Sequence, residues 1–263
     1  MLYSPVMAIR ESIDTAYSTS TARSFSSGRF EESSGDVCIE EIVRIHLNDR
    51  LLTSLVASPM QYRELGAGFV ISEGLAQRID DVQVDGNDVH VFAAQTAQPE
   101  TFITESGGGA SAGIIGRRIT SPVSIDAEGI FTVISSIVST LWEKTGGAHC
   151  SVLFSNNDLL AKSSDIGRHN TVDKVIGWAV LNGADLSSCV LGCTGRQPAG
   201  MVRKAVHAGI PIVISKAATT REGIDLAHKS GLTLICRVKK DSFRIYSHPQ
   251  RVQGADEPNA GST

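Results

Sequence analysis

The sequence predicts a layered α/β domain preceded by a smaller α+β domain. In the second half of the chain, apolar strand-like runs alternate with helical patterns, which is typical of repeated β-α-β units. In the first half, short alternating runs separated by turn residues indicate β-hairpins around one helix. We therefore expect a flexible tail over residues 1–36, the smaller domain at 37–128, the larger at 129–252 and a C-terminal tail at 253–263.

The composition is that of a globular protein with reduced thiols. With 263 residues and 41% hydrophobic content, the chain can bury a core in one large or two small domains. A net charge of -4 excludes a global basic field for nucleic acid, so any anion site must be local. Five cysteines without a CxxC pair argue against a disulfide framework and against a structural zinc site.

Location and membrane insertion follow from the hydrophobic pattern. No apolar run approaches the roughly 20 residues that cross a bilayer, and the N-terminus lacks the pattern of a secretory signal. We therefore expect a cytoplasmic protein that does not insert into the membrane.

The N-terminal third changes character near Val37. The preceding residues are rich in Ser, Thr, Arg and Glu and show no sustained periodicity, which is typical of a flexible tail. A hairpin follows, with its turn at Asn48–Asp49 and a returning strand over Leu51–Val56. Pro59 then opens a helix that ends at Glu73–Gly74.

A second hairpin over residues 82–91 completes the smaller domain's regular elements. Residues 104–116 form a stretch of small residues that includes seven glycines or serines, and this composition predicts a mobile Gly-rich loop. Composition alone is also compatible with a purely structural linker.

The larger domain is predicted to open with one helix from Phe131 to Lys144, followed by the strand Cys150–Phe154. Further strands are predicted over four segments that are separated by helices or a hairpin turn: Cys189–Cys193, Ile210–Ser215, Leu232–Cys236 and Phe243–Tyr246. The alternation predicts a largely parallel sheet with a mixed edge. In such sheets, ligands bind at the carboxyl ends of the strands.

Residues 165–177, read as DIGRHNTVDKVIG, are the most informative segment. Asn170 can cap a helix, with Asp173 as the reciprocal cap, and the helix is expected to end near Asn182–Gly183. Arg168 and His169 then precede a helix N-terminus, where the backbone favours an anion. The segment predicts a phosphate or acidic-cofactor site. A surface ion pair of Arg168 with Asp165 beside a packed histidine is the alternative.

Further cations follow the predicted strands. Thr194, Gly195 and Arg196 come directly after one strand, and Lys216 comes directly after the next. Because carboxyl ends of parallel strands share an edge, Arg196 is expected to add a second planar cation suited to phosphate.

Seven motifs occur in order along the chain: GFVISEG (68–74), TGGAH (145–149), DIGRHNTVDKVIG (165–177), TGR (194–196), AGIP (208–211), GLTL (231–234) and YSHPQR (246–251). In these motifs the chain resembles the FdhD family, the accessory proteins of formate dehydrogenase maturation. The resemblance implies a cytoplasmic homodimer whose larger domain has a cytidine-deaminase-like α/β fold.

The resemblance also implies a function. Family members accept sulfur from a cysteine desulfurase as a persulfide and pass it to molybdenum in the bis-molybdopterin guanine dinucleotide cofactor of formate dehydrogenase. GDP would mimic the nucleotide end of this cargo, and no residue is assigned to a resident metal. The residues expected to bind the cofactor are Arg168, His169, Asn170, Lys174, Thr194, Gly195, Arg196, Arg237, Val238, Lys239, Lys240, Asp241 and Ser242.

The chain departs from the family at the persulfide position. Relatives carry a cysteine in the loop where this sequence has Gly107 and Gly108, and glycine cannot hold sulfur. Either the cysteine was lost by substitution, or the protein is a cofactor-binding chaperone or regulator without sulfur transfer, or another thiol acts. Cys193 is the first candidate and Cys150 the second, although both also fit inert core residues, as does Cys189.

A zinc deaminase is the rival suggested by the implied fold. That chemistry needs a His or Cys followed two residues later by Glu, with a downstream PCxxC. Here His149 is followed by Cys150 and Ser151, and no cysteine pair has the required spacing. The role of His149 stays open between a packed imidazole and a cofactor contact.

Overall fold

The computed structural model describes residues 13–95, 102–105, 108–111 and 118–255. Helices and sheets are mixed along the chain, so the predicted α/β class is confirmed. Within these residues, no helix is both long and apolar enough to cross a membrane.

An antiparallel ribbon forms the N-terminal part of the described chain. Its strands are β1, Tyr17–Ser26, and β2, Arg29–Cys38, joined by a turn at Ser27–Gly28. The prediction of an irregular tail is therefore wrong for these residues, while residues 1–12 lie outside the described part. The sequence shows no hydrophobic alternation here because neither face of the ribbon is buried in the chain.

The smaller domain is a four-stranded sheet with one helix. Its elements are β3 (Glu41–Leu47), β4 (Arg50–Ala57), α1 (Tyr62–Ser72), β5 (Asp81–Asp85) and β6 (Asp88–Phe92). The strand order is β4-β3-β6-β5, and both predicted hairpins are confirmed. The helix begins at Tyr62 rather than at Pro59, because Gln61 takes a left-handed conformation with φ 56° and breaks the helical path before it.

The Gly-rich segment contains a further small hairpin. Strand β7, Phe102–Glu105, pairs antiparallel with β8, Gly108–Ser111. The prediction of an irregular loop over residues 104–116 is wrong for these parts, and residues 106–107 and 112–117 lie outside the described residues.

The single helix predicted from Phe131 to Lys144 is two helices. Helix α2, Ala127–Ser135, and helix α3, Thr140–Thr145, are separated because Ser139 adopts an extended conformation and caps α3 through the amide of Trp142. A serine hydroxyl can bond to the backbone in place of the helical hydrogen bonds, so Ser139 favours a new helix start over continuation of α2. The regular spacing of apolar residues across this position led to the prediction of one helix.

The larger domain is built on a six-stranded sheet. Its elements are β9 (His149–Ser155), β10 (Asp158–Asp165), α4 (Arg168–Leu181), β11 (Cys189–Cys193), α5 (Ala199–Ala208), β12 (Ile212–Ser215), α6 (Arg221–Ser230), β13 (Thr233–Cys236) and β14 (Arg244–Ser247), with short 3-10 helices at Leu186–Ser188 and Pro249–Arg251. The order is β10-β9-β11-β12-β13-β14.

The sheet is less parallel than predicted. Among the described strands, β11, β12 and β13 form a parallel centre, and β9, β10 and β14 are antiparallel to their neighbours. Strand β10, which follows the Asn156–Asn157 turn, was not predicted, because five of its eight residues are polar and it shows no regular apolar alternation. Helices α4 and α5 pack on one face of the sheet, and α2 packs on the other.

The two domains meet where α1 crosses α4. A Cβ atom on Gly68 would lie 1.7 Å from the carbonyl oxygen of Asp173, and one on Gly177 would lie 1.9 Å from that of Glu64. These are backbone atoms, so no side-chain movement could relieve the clash. The crossing therefore requires glycine at both positions, and it fixes α4 against the smaller domain.

Gly68→Ala is expected to destabilise the protein. Alanine improves helix propensity by about 1 kcal/mol, but separating the two backbones costs more than the ~1–3 kcal/mol typical of an overpacked core. We expect a net loss of about 2 kcal/mol or more in the free energy of unfolding, measured by urea denaturation. Gly35→Ala is the control, because the space around Gly35 is open; equal stability of Gly68→Ala and the wild type would contradict the crossing.

Candidate functional site

Helix α4 begins three residues earlier than predicted. Gly167 is the N-cap, and Asn170 lies inside the first turn. The Asn170 side chain donates to Asp165 Oδ1 at 2.8 Å and to the Val56 carbonyl at 2.9 Å, so it is not a cap. The predicted end of the helix is confirmed, with Asn182 as the C-cap.

Lys174 belongs to a buried ion pair. Its Nζ lies 2.6 Å from Asp165 Oδ2, and both side chains are fully buried. Asp165 also accepts from the amides of Ser58 and Gly167, at 3.0 and 2.7 Å. The predicted surface pair of Asp165 is therefore wrong, because its partner is a lysine inside the fold.

The burial of Asn170 and Lys174 also corrects their predicted contact with a ligand. Asn170 is 4% exposed and Lys174 is 1% exposed. Their polar groups hold α4 to the ends of β10 and β4 instead. They position the helix and do not face a ligand.

A second buried ion cluster joins α1, α4 and α5. Lys204 Nζ lies 2.6 Å from Glu73, 2.9 Å from Asp173 and 3.0 Å from the Ser72 hydroxyl. Burial raises the pKa of Asp173 to about 6. Burial alone would lower the pKa of Lys204, but the two carboxylates outweigh this effect and leave the pKa raised. Asp173 is thus part of this cluster and not the reciprocal cap that the sequence suggested.

The N-terminus of α4 forms the first part of a cationic edge. Arg168, the first helical residue, packs on Gly195, where a Cβ atom would lie 2.8 Å from the arginine Cβ. The N-cap residue is Gly167, which has no side chain to cap this end of the helix. The 14-residue helix therefore presents its positive dipole end together with a guanidinium group.

His149 lies between the predicted cations. Its Nδ1 is 3.0 Å from Thr194 Oγ1, which also accepts from the Cys150 amide at 3.1 Å. Burial lowers the pKa of His149, and the charges of Arg168 and Arg196 lower it as well. Arg168 packs on Gly195 and Arg196 is the next residue, so both arginines and His149 lie at the carboxyl end of β11.

His169 is buried and neutral at physiological pH. Burial lowers its pKa to about 3, and the charges of Lys204 and Arg168 act in the same direction. The positive charge of the edge therefore comes from the exposed Arg196 and the half-buried Arg168, and not from histidine.

The predicted nucleotide-binding segment, residues 237–242, follows β13 on the same edge. Arg237 has φ 56° and donates its amide to the Ala217 carbonyl, while the Lys239 amide donates to the Ser242 carbonyl and closes the turn. Arg237, Lys239, Lys240, Asp241 and Ser242 are exposed, whereas Val238 is buried in the core. Because β11, β12 and β13 run parallel, this turn and Lys216 lie at the same end of the sheet as Arg196.

The Gly-rich hairpin borders this edge. Strand β8, which begins at Gly108, lies against helices α4 and α5. Helix α4 begins at Arg168, and α5 begins at Ala199, just after the TGR motif. Of the two predicted persulfide positions, Gly107 lies outside the described residues and Gly108 begins the strand.

The cysteines are free, and most are buried. Burial raises the pKa values of Cys189 and Cys193 to about 12 and also raises that of Cys236. Cys150 is 2% exposed, so both predicted substitutes for the loop thiol lie in the core. Cys38 is half-buried, with its Sγ 3.1 Å from Thr145 Oγ1.

A mixed α/β fold with two arginines, a helix N-terminus and a basic turn on one sheet edge defines a class of protein suited to a large anionic ligand. Comparison with known proteins identifies the family. The model of the FdhD/NarQ family matches residues 38–253, so the chain belongs to that family.

Relatives and a solved structure agree with this assignment. Protein FdhD of Methanocaldococcus jannaschii is 34% identical over 230 residues, covering 86% of this chain and 94% of the relative. Sulfur carrier protein FdhD of Wolinella succinogenes is 33% identical over 236 residues, covering 82% of each chain. A crystal structure described provisionally as a formate dehydrogenase accessory protein of Desulfotalea psychrophila is 26% identical, with a TM-score of 0.76, and covers 90% of this chain and 99% of its own.

Sequence reasoning missed the Lys204 cluster. Ser72 and Glu73 end an otherwise apolar helix, and Lys204 lies within the apolar face of another helix. Charged and polar residues at positions where two helices are otherwise apolar could have predicted this cluster. A charge that is buried needs a partner of opposite charge, so these residues could be expected to pair with each other.

Lys204→Met is expected to cost about 3–5 kcal/mol in the free energy of unfolding at neutral pH, because it leaves Glu73 and Asp173 buried without their cation. Lys229→Met, on an exposed residue of α6, is the control and should be close to neutral. Chemical denaturation measures both.

The deficit of Lys204→Met should depend on pH. In the folded state the pKa of Asp173 is about 6, which is above its ordinary value. Protonation of Asp173 therefore adds to the free energy of unfolding in acid, and this contribution is lost as the pH rises through about 6. Removing the ammonium raises this pKa further. The deficit relative to the wild type should therefore shrink from neutral pH towards about pH 5; a deficit that grows in acid would contradict the cluster.

Proposed function

We propose that this protein serves formate dehydrogenase maturation by binding the molybdenum bis-molybdopterin guanine dinucleotide cofactor at the carboxyl edge of the larger sheet. The names of its relatives support the maturation role. The cationic edge supports the choice of an anionic, phosphate-bearing cargo.

The observation that carries the proposal is that Arg168 packs on Gly195, directly beside Arg196, where His149 lies 3.0 Å from Thr194. A guanidinium group donates paired hydrogen bonds to phosphate oxygens and stays charged when partly desolvated. The N-terminus of α4 adds the positive end of the helix dipole. Together they suit the pyrophosphate of the dinucleotide.

The turn at residues 237–242 suits the nucleotide end. Lys239 and Lys240 offer flexible cations for the remaining phosphate charge, and the exposed Asp241 carboxylate offers acceptors for the N–H groups of guanine. The buried Val238 anchors the turn, so only its backbone is available to a ligand.

Sulfur transfer from a cysteine desulfurase is less well supported for this chain. A relay needs an accessible thiolate, whereas the persulfide position of relatives is glycine and four of the five cysteines are buried. We therefore favour a cofactor-binding chaperone without sulfur transfer. Cys38, the half-buried thiol, is the site that a relay would have to use.

The arginines of the edge should determine nucleotide affinity. Arg168→Gln and Arg196→Gln should each weaken GDP binding about tenfold or more in calorimetry, because a charged hydrogen bond contributes ~1.5–3 kcal/mol. Arg78→Gln removes an exposed arginine of the smaller domain and should bind like the wild type. No heat with GDP, together with normal formate dehydrogenase maturation by Arg168→Gln, would overturn the proposal.

Mass spectrometry separates the two roles. After incubation with a cysteine desulfurase and cysteine, a carrier gains about 32 Da per sulfur on a mapped cysteine. We expect no such gain in the native protein. A persulfide mapped to Cys38 and lost in Cys38→Ser would show sulfur transfer and contradict the chaperone role while leaving cofactor binding intact.

A further inference from the structure

The YSHPQR motif places a buried cation, Arg251, beside the end of α6. Arg251 is 8% exposed. Its guanidinium group donates to the carbonyl oxygens of Ile119, Ser121 and Gly231 and to the Thr233 hydroxyl. Burial lowers the pKa of Arg251, and within the part of the chain that the structure describes no carboxylate forms an ion pair with it. Neutral oxygens alone therefore surround this charge, although buried charges are normally paired.

The guanidinium group of Arg251 also keeps a donor for a ligand. A guanidinium group has five N–H bonds, whereas four oxygens of the described residues accept from this one. The Nη2 atom carries two of the N–H bonds, and its acceptor in this part of the chain is the Ile119 carbonyl at 3.5 Å, the longest of the four contacts. One N–H bond of Nη2 is thus available to a further acceptor.

Arg251 lines a cavity of about 600 Å³ at the amino end of the central strands. Ser121, which also lines the cavity, donates its hydroxyl to the Ser187 carbonyl just before β11 begins, and Gly231 lies just before β13. The cavity is therefore on the edge of the sheet opposite to the turn at residues 237–242. The four residues of β13, at ~3.3 Å each, separate the two edges by about 13 Å.

The charge around this cavity is positive. Arg118 and His248 line it together with Arg251, and none of the described lining residues is acidic. Arg118 is exposed and makes no ion pair with the described residues. The amides of Thr120 and Ser121 have no acceptor among those residues either. The cavity therefore offers two guanidinium groups and two backbone donors, which are groups that recognise oxyanions.

His248 is fixed beside the cavity in a left-handed conformation, with φ 47°. Its Nε2 donates to the His228 carbonyl at 3.0 Å, and the Gln250 amide nitrogen lies 3.3 Å from its Nδ1. Positive φ is uncommon outside glycine, and backbone strain of this kind is concentrated at functional sites. The strained turn brings both His248 and Gln250 to the wall of the cavity.

We propose that this cavity binds a small sugar phosphate. Arg118 and Arg251 bind its phosphate group. A bare phosphate ion is too small to fill the space, which is within the range of sites for small organic ligands. The hydroxyl and amide groups of Thr120, Ser121 and Gln250 suit the hydroxyls of a sugar. The site is independent of the cofactor site proposed above, because it lies on the other edge of the sheet.

Isothermal titration of the full chain with ribose 5-phosphate tests the proposal. Arg168→Gln/Arg196→Gln is the starting protein, because phosphate bound at the carboxyl edge would otherwise add to the heat. It should bind ribose 5-phosphate more tightly than inorganic phosphate. Adding Arg118→Gln should weaken binding about tenfold or more, whereas adding Arg78→Gln, on an exposed arginine of the smaller domain, should not.

The outcomes of the titration separate the site from its ligand. No binding of either compound, or binding that Arg118→Gln leaves unchanged, would overturn the site. Equal affinity for the two compounds would overturn the sugar phosphate as its ligand. Arg118 has no ion-pair partner among the described residues, so its replacement should leave the fold intact, and circular dichroism checks this.

Hydrogen–deuterium exchange of the wild-type chain locates the bound phosphate. Ribose 5-phosphate should slow exchange at residues 118–122 and 248–251, and this protection should be lost in Arg118→Gln. Protection at residues 194–196 alone would place the phosphate on the carboxyl edge and contradict a second site.

Discussion

The rest of the structure depends on the contact between α1 and α4 and on the two lysines buried beside it. Gly68 and Gly177 let the helix backbones touch, while Lys174 and Lys204 neutralise carboxylates that the contact encloses. Burying an ion pair contributes little net stability, but removing one partner costs several kcal/mol. The network therefore constrains how α4 is oriented more than it adds to the stability of the fold.

The orientation of α4 creates the candidate site. The helix starts where the Asp165 carboxylate holds the chain, so that Arg168 packs on Gly195 and acts with Arg196 on His149. Lys174 and Lys204 neutralise carboxylates inside the fold, whereas Arg168 and Arg196 lie at the edge of the sheet. This division suits their chemistry, because guanidinium groups recognise phosphate in a fixed planar geometry.

Much of the fold could be predicted from local patterns, and less of the site could. Apolar patterns predicted most strands of both domains but not β10. The rule that ligands bind at the carboxyl ends of parallel strands predicted a common edge for Arg196 and Lys216, whereas the turn at residues 237–242 was expected from the family resemblance alone. Asn170 and Lys174 were assigned to the ligand because sequence spacing does not show that Asp165 is buried beside them. The ribbon was missed because hydrophobic periodicity reports burial, and nearly all side chains of both its strands are exposed.

The central claim is that a guanine nucleotide occupies the carboxyl edge of the larger sheet. Hydrogen–deuterium exchange of the full chain, with and without GDP, tests it most directly. The account predicts slower exchange at the start of α4, at residues 194–196 and in the turn at residues 237–242, with the smaller sheet unchanged. Unchanged exchange at all three places, or protection confined to another part of the protein, would contradict it.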